Sequence, residues 1–399
     1  IYHNHSINTN EKALFCAIIT GVEIALRRPL WISTPDDLHR VLPHLQRSQI
    51  LGVDTESNGL HAYREQVCLI QISTEDDDYL IDPIALKNLS PLGDLFADPR
   101  IEKVFHAAEY DLICLKRDFG FLVVNLFDTM LAGRILGRSA TGLGAMLEWE
   151  FGITVDKHCQ RADWRQRPLP HQLVTYAQMD THYLIALRHR LREELLRCGR
   201  LPLAEEDFRR MCLTQAPKGS NGENGFWRIA GAHTISPPQA SVLQQLYDYR
   251  ERVARAEDRP VFKVLSNETL LQIAKTCPQK TTDLAQVCRL TPRQISMHGQ
   301  NLLEAVNRGL SSKPLQRPAA PRQNEDFLHR MDVLRSWRKG AARQMGVESD
   351  VVLPRDILEK IAHQFPHNAQ ELEALMEHTP WRFKQYGEQI LRALGVQED

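Results

Sequence analysis

The chain has 399 residues, 43% of them hydrophobic and 25% charged, which is long and apolar enough for several globular domains. Its formal net charge of −1 excludes a uniformly polycationic surface, so any surface that binds a polyanion must be local. The eight cysteines are scattered without a Cys-x-x-Cys pair, which excludes an evident disulfide framework or zinc site and favours a reducing, cytoplasmic compartment.

The first 27 residues are predicted to form an extension outside the folded domains. Residues 13–26 are mostly apolar, but this run is too short to cross a bilayer and contains Glu23. Arg27 and Arg28 follow the apolar run, and no clear small-residue cleavage site is present, so we do not expect a signal peptide. No other apolar run reaches spanning length, and the sequence predicts no membrane association.

Residues 28–215 begin with short apolar runs bounded by polar turns, a pattern typical of β-strands. The predicted strands are residues 50–53, 68–72, 79–81 and 104–105. Longer helical periodicities follow at residues 107–116, 129–137 and 171–197. Strands first and helices after them predict an α/β domain in which helices cover a sheet.

Two linkers are predicted in the remainder of the chain. Residues 216–236 begin with a run rich in Gly, Asn and Ser that has no apolar period, and residues 310–324 are rich in proline. These linkers separate the α/β region from two further segments, residues 237–309 and 325–399.

These two C-terminal segments are copies of one another at a constant offset of 88 residues, without a gap. The matching pairs include Leu246/Leu334, Arg250/Arg338, Ala254/Ala342, Leu270/Leu358, Pro292/Pro380 and Gly299/Gly387. Most matches are apolar residues at helical spacing, with Pro and Gly at the turns. Each copy is therefore predicted to be a compact all-α bundle.

Two carboxylates, Asp54 and Glu56, directly follow the apolar strand at residues 50–53. Side chains two apart on a strand point to the same face, so both acids are expected on one side of the sheet. A strand end that opens into the polar turn Ser57-Asn58-Gly59 explains the pair equally well when it is considered alone.

Asp180 is the most informative acid because it lies in the apolar stripe of the predicted helix at residues 171–197. Leu173, Ala177 and Leu184 belong to that stripe, and Tyr176 lies one turn before Asp180 on the same side. An acid in this position is expected to be paired with a core arginine, protonated or bound to a metal ion.

Three further polar residues lie where strands meet helices. Asp111 flanks the apolar face of the helix at 107–116, and His106 lies at the preceding junction. Asp128 is interpreted as a helix N-cap, with a supporting role beside a site as the alternative. Convergence of several acids would favour hard divalent cations, and two such ions can activate water and stabilise the leaving oxygen of a phosphodiester.

The acidic segments resemble the three exonuclease motifs of the DEDD superfamily, in its tyrosine branch. These segments are Asp54-Thr55-Glu56, His106-Ala107-Ala108-Glu109-Tyr110-Asp111 and Tyr176-Ala177-Gln178-Met179-Asp180. Four supporting runs resemble the bacterial ribonuclease D family: Leu69-Ile70-Gln71-Ile72, Leu80-Ile81-Asp82-Pro83, Phe127-Asp128-Thr129 and Arg161-Ala162-Asp163-Trp164. The duplicated segments resemble helicase-and-RNase-D C-terminal (HRDC) domains.

The resemblance implies a ribonuclease H-like α/β exonuclease domain with a mixed sheet over residues 28–215, followed by two all-α HRDC domains at 237–309 and 325–399. The implied reaction is hydrolysis from the 3′ end of RNA with release of nucleoside 5′-monophosphates, using two divalent ions, Mg²⁺ or Mn²⁺. The implied partner is RNA with a single-stranded 3′ end, such as precursor tRNA, and no obligate protein partner is expected.

Residue roles are carried over from the same resemblance. Asp54 would bridge both ions, Glu56 and Asp180 would help to hold the first, and Asp111 would hold the second directly or through water. Tyr176 would position the attacking water. Three residues would contact the substrate: Thr55, His106 and Trp164.

Two alternative functions remain open from the sequence. A 3′→5′ DNA exonuclease could use the same carboxylates, and a decayed nuclease could act as a non-catalytic RNA-binding module. The run Trp381-Arg382-Phe383-Lys384-Gln385-Tyr386 interleaves basic and aromatic side chains, which suits contact with a single strand. A core role for Trp381 and Phe383 beside a solvated basic face fits the run equally well, and the helical segments are also compatible with protein binding.

Overall fold

The structure is a computed structural model that describes residues 15–17, 24–155, 158–215, 225–286, 288, 290–317 and 324–396. These residues form two compact units. The first unit falls within residues 1–57, 67–215 and 323–399, and the second within residues 58–66 and 216–322. Across the described ranges, no helix combines the length and hydrophobicity that a bilayer span requires.

A six-stranded mixed sheet forms the centre of the first unit. Its strands are β3 (Leu30–Ile32), β4 (Ile50–Ser57), β5 (Val67–Ser73), β6 (Asp78–Ile81), β7 (Glu102–Phe105) and β8 (Leu126–Asp128), in the spatial order β3-β6-β5-β4-β7-β8. Strand β5 runs antiparallel to both of its neighbours, and the other pairs are parallel. A separate antiparallel pair, β1 (Phe15–Ala17) and β2 (Ile24–Leu26), precedes this sheet. The predicted mixed-sheet α/β class is confirmed.

Eight helices accompany the sheet within the described part of the α/β domain. They are α1 (Pro35–Arg47), α2 (Ser90–Ala97), α3 (Glu109–Phe119), α4 (Thr129–Ile135), α5 (Leu143–Phe151), α6 (His171–His182), α7 (Leu184–Arg197) and α8 (Leu201–Cys212). Every residue of β5 is buried, as expected for a strand with helices on both faces.

The single helix predicted over residues 171–197 is wrong, because the structure divides it into α6 and α7 at Tyr183. Strand β4 approaches the chain closely at this break. A Cβ atom on Gly52 would lie 2.9 Å from the carbonyl oxygen of Thr181, so only glycine allows the strand to pass. The apolar stripe continues in phase across the break, which is why the sequence pattern does not reveal it.

The predicted extension of residues 1–27 lies largely outside the described residues, but its last residues contact the α/β domain. Leu26 is buried in the main hydrophobic core, and the carbonyl oxygen of Arg27 accepts a hydrogen bond of 2.7 Å from Gln178. The structure therefore places the start of the fold before the predicted boundary, because an apolar residue at the end of the extension fills the core.

The two copies form two helical bundles whose corresponding helices begin 88 residues apart. The first bundle contains α9 (Pro237–Ala256), α10 (Val261–Val264), α11 (Asn267–Thr276), α12 (Thr281–Gln286) and α13 (Pro292–Ser311). The second contains α14 (Glu325–Met345), α15 (Ser349–Val352), α16 (Arg355–Gln364), α17 (Ala369–Leu375) and α18 (Pro380–Ala393). The expectation of two all-α bundles is confirmed.

The two predicted linkers are partly built into the first bundle. Residues 216–224 and 318–323 lie outside the described residues, but Phe226, Ile229 and Ala232 are buried in the core of this bundle. The backbone N–H of Leu315 donates to the hydroxyl of Ser241 at 3.0 Å. Both predicted linkers were therefore too long, because composition marks a flexible run but not the apolar residues that follow it.

The second bundle is joined to the α/β domain by a buried ion pair. The guanidinium of Arg382 contacts the carboxylates of Glu206 at 2.6 Å and Asp207 at 2.8 Å, and the side chains of Arg382 and Glu206 are fully buried. The remaining guanidinium donors reach the carbonyl oxygens of Val351 and Val352. Glu206 also accepts a hydrogen bond of 2.6 Å from the backbone N–H of Trp381, at the start of α18.

This contact corrects one interpretation of the run at residues 381–386. Arg382 does not belong to a solvated basic face, and it is not available to a single strand, because all of its donors are used inside the protein. Lys384 remains exposed, while Trp381 packs against both the second bundle and the core of the α/β domain. The second bundle and the α/β domain therefore form one unit.

Candidate active site

All five predicted catalytic residues line a cavity of about 400 Å³ in the α/β domain. Strand β4 contributes Asp54 and Glu56, helix α3 contributes Asp111, and helix α6 contributes Tyr176 and Asp180. One carboxylate oxygen from each of Asp54, Glu56 and Asp180 lies within 4.8 Å of the other two. Asp111 lies outside this close group but near enough to repel its members.

A buried polar network holds helix α6 against the sheet, and this positions Tyr176 and Asp180. Asp78 on β6 accepts hydrogen bonds from Ser73 at 2.6 Å and from the amide of Gln178 at 2.7 Å, and it contacts His182 at 2.9 Å. Burial favours the protonated form of Asp78, but the hydrogen bond and charge of His182, together with Ser73 and Gln178, lower its pKa. Asp78 is therefore ionised and anchors the helix that carries two site residues.

The hydroxyl of Thr55 orients the carboxylate of Asp111 by donating a hydrogen bond to it at 2.5 Å. This contact fastens the first turn of α3 to the middle of β4, so two of the acidic motifs are joined directly. Thr55 itself lines the cavity. Its predicted contact with substrate remains a prediction, and the structure adds a contact with a predicted metal ligand.

Asp128 is the N-cap of helix α4, as interpreted from the sequence. One carboxylate oxygen accepts a hydrogen bond of 2.9 Å from the backbone N–H of Leu131, and the other accepts one of 2.7 Å from Ala108. Burial raises the pKa of Asp128, whereas these backbone hydrogen bonds act in the opposite direction. Since Ala108 immediately precedes α3, Asp128 also fixes the start of the helix that carries Asp111.

The site acids repel each other in a buried environment. Burial, together with the charges of Asp111, Asp180 and Glu56, raises the pKa of Asp54 well above its ordinary value. Burial and the neighbouring acids likewise raise the pKa of Glu56. Burial is also the main cause that raises the pKa of Asp111 to about 7 and that of Asp180 to about 7.

These carboxylates have the properties of a site for divalent cations. Within the described ranges, no lysine or arginine is among the groups that shift the pKa of the four acids. The salt bridge to a core arginine that remained open for Asp180 is therefore not observed among these residues. A cluster of hard oxygen donors with no internal cation fits Mg²⁺ or Mn²⁺, whose charge would remove the repulsion.

Tyr176 lies beside Asp180 and packs against Trp164. Its hydroxyl interacts with the side chains of Asp180, one turn further along α6, and Gln160. Its ring packs against the ring of Trp164, with centroids 6.1 Å apart. Burial and the neighbouring acids raise the pKa of Tyr176, so the phenol is neutral and retains its proton.

Trp164 is not a wall of the cavity, which corrects its prediction as a substrate contact. Its side chain is 1% exposed and lies in a separate apolar cluster with Leu69 and Ala177. The order of residues in the motif indicates proximity to the site but not the direction of the indole. Trp164 supports the ring of Tyr176 from behind instead of reaching the cavity.

His106 lines the cavity as a neutral side chain of defined tautomer. The hydroxyl of Thr129 donates to the carbonyl oxygen of Phe105, so it accepts from Nδ1 of His106 at 2.9 Å. Nε2 of His106 is then a hydrogen-bond acceptor. Burial lowers the pKa of His106 to about 4, so the imidazole carries no charge at neutral pH.

The cavity has further walls that the sequence analysis did not identify. Gln160 and Tyr110 line it, as do Gly142, Leu143 and Gly144 at the start of α5. Tyr110 directly precedes Asp111 in its motif, and Gln160 directly precedes the run Arg161-Ala162-Asp163-Trp164, so proximity to a motif was the available signal. The wall at residues 142–144 has no comparable signal, because it depends on how α5 packs.

Comparison with known proteins identifies the family. Residues 29–196 match a family described as 3′-5′ exonuclease, and residues 239–306 and 327–394 each match the HRDC domain. The structure of Escherichia coli RNase D, an exoribonuclease involved in structured RNA processing, matches with a TM-score of 0.69 and 26% sequence identity. That match covers 93% of this chain and 100% of the other. The chain is thus ribonuclease D-like, with one 3′-5′ exonuclease domain followed by two HRDC domains.

Sequence relatives of this ribonuclease D-like chain include larger eukaryotic proteins. It is 33% identical over 286 residues to Protein RRP6-like 2 of Arabidopsis thaliana, a match that covers 69% of this chain and 33% of that protein. It is 34% identical over 278 residues to the exosome complex exonuclease RRP6 of Saccharomyces cerevisiae, covering 66% and 38% respectively. The chain thus spans about a third of the length of these curated relatives.

Proposed function

We propose that this chain is a metal-dependent 3′→5′ exoribonuclease that trims single-stranded 3′ ends of structured RNA and releases nucleoside 5′-monophosphates. The observation that carries the proposal is the convergence of Asp54, Glu56, Asp111, Tyr176 and Asp180 on one cavity. The match to E. coli RNase D over the full length of that chain supports RNA as the substrate. Precursor tRNA is the expected example.

Some side chains of the site would bind the metal ions that supply charge for hydrolysis, and others position the reacting groups. Divalent ions held by Asp54, Glu56, Asp111 and Asp180 would supply the charge that activates water and stabilises the leaving oxygen. The neutral phenol of Tyr176, fixed by Gln160 and Trp164, orients the attacking water at the scissile phosphate. Thr55 keeps Asp111 in the orientation that the site requires.

His106 supplies an acceptor suited to the sugar of the terminal nucleotide. Because Nδ1 donates to Thr129, Nε2 accepts hydrogen bonds, and the hydroxyl groups of a ribose are suitable donors. A neutral imidazole also avoids an ion pair with the phosphate that would hold the product in the site. A contact of Nε2 with the 2′-hydroxyl, which deoxyribose lacks, favours a terminal ribose over a terminal deoxyribose.

The test uses a 5′-labelled RNA with a short single-stranded 3′ tail, a DNA of matched sequence, and the full-length chain with Mg²⁺, Mn²⁺ or chelator. We expect stepwise shortening of the RNA that depends on metal, much slower shortening of the DNA, and release of 5′-monophosphates. The Asp180→Asn variant, purified in parallel, excludes a contaminating nuclease.

The other outcomes identify the alternatives. Digestion of the DNA with the RNA left intact would contradict the proposal and indicate a DNA exonuclease. Hydrolysis of neither strand, with RNA binding retained in the chelated protein, would indicate a non-catalytic RNA-binding module. Equal rates with metal and with chelator would exclude the metal-dependent mechanism.

A further inference from the structure

A row of three basic side chains lies along one exposed face of helix α14 in the second HRDC domain. Arg335, Lys339 and Arg343 occur at intervals of four residues, so they share a face of the helix and span ~12 Å along its axis. All three are exposed. We refer to these three residues as the basic row.

Little negative charge offsets the basic row. Arg335 makes an exposed contact of 3.5 Å with Asp332, and such a contact is weak and readily replaced. Among the ion pairs of the described residues, none involves Lys339 or Arg343. The row is thus a local cationic surface on a chain whose formal net charge is −1.

The basic row ends at a groove that adjoins the wall of the active site. Arg343 and Gly346 line this groove of about 300 Å³ from the HRDC side, and Arg138 and Thr141 line it from the exonuclease side. The carboxylate of Glu348 also lines it and is paired with Arg134 at 2.7 Å. The next residues after Thr141, at positions 142–144, line the active-site cavity itself, so the groove and the cavity share one segment of chain.

The groove lies within one compact unit, in which the second HRDC domain packs against the exonuclease domain. The ion pair of Arg382 with Glu206 is fully buried, and Arg200 donates to the carbonyl oxygens of Ile135 and Met345, one from each domain. At the groove, Gly137 lies so close to the carbonyl oxygen of Gly346 that a Cβ has no room. These contacts attach the basic row to the domain that carries the catalytic residues.

The corresponding face of the first HRDC domain has a different use. Positions 88 residues earlier are occupied by Tyr247, Glu251 and Arg255. In the second unit Glu251 accepts a hydrogen bond of 3.0 Å from the hydroxyl of Tyr63, and Arg255 lies over the Tyr63 ring at 5.5 Å. The same helix face thus contacts a loop of the protein in one copy, while in the other copy it exposes three basic side chains.

We infer that the basic row binds the phosphate backbone of the single-stranded RNA segment that leads into the active site. The strand would leave the cavity across residues 142–144, pass the groove and follow α14. This inference rests on the proposed exoribonuclease function. It assigns the second HRDC domain a role in substrate binding through α14, and not through the run at 381–386, where Arg382 is used internally.

The test compares the full-length chain with the triple variant Arg335→Gln, Lys339→Gln and Arg343→Gln. Binding of a labelled single-stranded RNA of about twelve nucleotides is measured by anisotropy in chelator at several salt concentrations, where hydrolysis plays no part. We expect affinity to fall roughly tenfold or more at low salt, and the slope of log affinity against log salt to decrease by about 2, at ~0.7 per phosphate contact. Turnover of a trinucleotide, chosen as a substrate that fills mainly the active site, should keep its kcat/KM.

A matched control removes three other exposed basic residues of the same domain, by Arg355→Gln, Lys384→Gln and Arg392→Gln. This control should retain both the affinity and the salt slope of the parent chain. The inference is wrong if the row variant binds the longer RNA like the parent, if the control loses as much affinity, or if trinucleotide turnover falls equally. Since binding is measured without catalysis, absence of RNA hydrolysis in the parent chain would contradict the proposed function and leave the binding result to decide the inference.

Discussion

Two groups of partly or fully buried acids in the first unit are stabilised in different ways. Glu206 and Asp207 on α8 are neutralised by Arg382, a cation that the fold itself supplies. Asp54, Glu56 and Asp180 are within 4.8 Å of one another, and no basic side chain is among the groups that shift their pKa in the described residues. The charges of the first group are neutralised within the folded protein, whereas the charges of the second group require cations from solution.

The difference has a physical meaning for function. Burying a charge costs free energy unless the charge is paired, so we expect each group of acids to have a structural or functional role. At α8 the gain is attachment of the second HRDC domain. At β4 and α6 the repulsion between acids keeps their pKa high in the metal-free protein and creates an affinity for divalent ions. Substitutions in the two groups should therefore have different consequences, for activity at β4 and α6 and for stability at α8.

The largest effect is expected when the active-site group loses one charge. Asp180→Asn keeps the volume and removes a metal ligand, so hydrolysis of tailed RNA should fall roughly a thousandfold or more, ~4 kcal/mol in the barrier. The thermal midpoint of the metal-free variant at pH 8 should be higher than that of the parent chain, because one repelling carboxylate is absent. Steady-state rates and thermal melting in chelator measure both effects.

The thermal midpoint should change in the opposite direction when an acid on α8 is replaced by its amide. Glu206→Gln leaves Arg382 buried with a weaker partner, so this variant should melt at a lower temperature than the parent chain while it retains the metal requirement. Activity of Asp180→Asn close to that of the parent would contradict the metal-site assignment.

The second largest effect is expected when the buried guanidinium of Arg382 is removed. Arg382→Ala leaves Glu206 buried without its partner and should lower the free energy of unfolding of the first unit by ~3–5 kcal/mol. Lys384→Ala, on the exposed side of the same helix, should change it by no more than ~0.5 kcal/mol. Urea unfolding of both full-length variants measures the difference, and equal midpoints would show that the ion pair does not hold the domain.

The sequence predicted the active-site group better than the α8 group, for a physical reason. Asp180 interrupts an apolar stripe, and Asp54 and Glu56 follow a buried strand, so each acid conflicts with its local pattern. Arg382 conflicts with nothing nearby, because a basic residue on an amphipathic helix is ordinary. Its partner Glu206 lies 176 residues away, and no local periodicity reports such a contact.

The same limit explains the other differences between prediction and structure. The break at Tyr183 depends on the approach of Gly52 from another strand, and the burial of Trp164 depends on which way its indole turns. In contrast, the two bundles were predictable, because the constant offset of 88 residues is a property of the chain itself. Sequence repeats and residues that conflict with their local pattern can be identified from the sequence. Side-chain orientations and contacts between residues far apart in the chain cannot.

A third effect concerns the pH dependence of stability in chelator. The pKa of Asp111 and that of Asp180 are about 7 in the folded protein and near 4 in an unfolded chain, so the folded state binds protons more tightly. Stability should therefore decrease as pH rises from about 4 to about 7 and then level off. The double variant Asp111→Asn and Asp180→Asn should lack this component, and excess Mg²⁺ should reduce it in the parent chain. Thermal midpoints of both proteins between pH 5 and pH 8 test this, and parallel pH profiles would contradict the assigned repulsion.

The smallest effect is expected at Tyr176, which positions water without contributing charge. Tyr176→Phe removes the hydroxyl that contacts Asp180 and Gln160 but keeps the ring that packs on Trp164. The rate should fall roughly 10- to 100-fold, less than for Asp180→Asn, while the concentration of Mg²⁺ required for half-maximal activity remains similar. Titration of activity with metal separates the two roles. A strong increase in that Mg²⁺ requirement would make Tyr176 part of the metal site, and an unchanged rate would remove it from the mechanism.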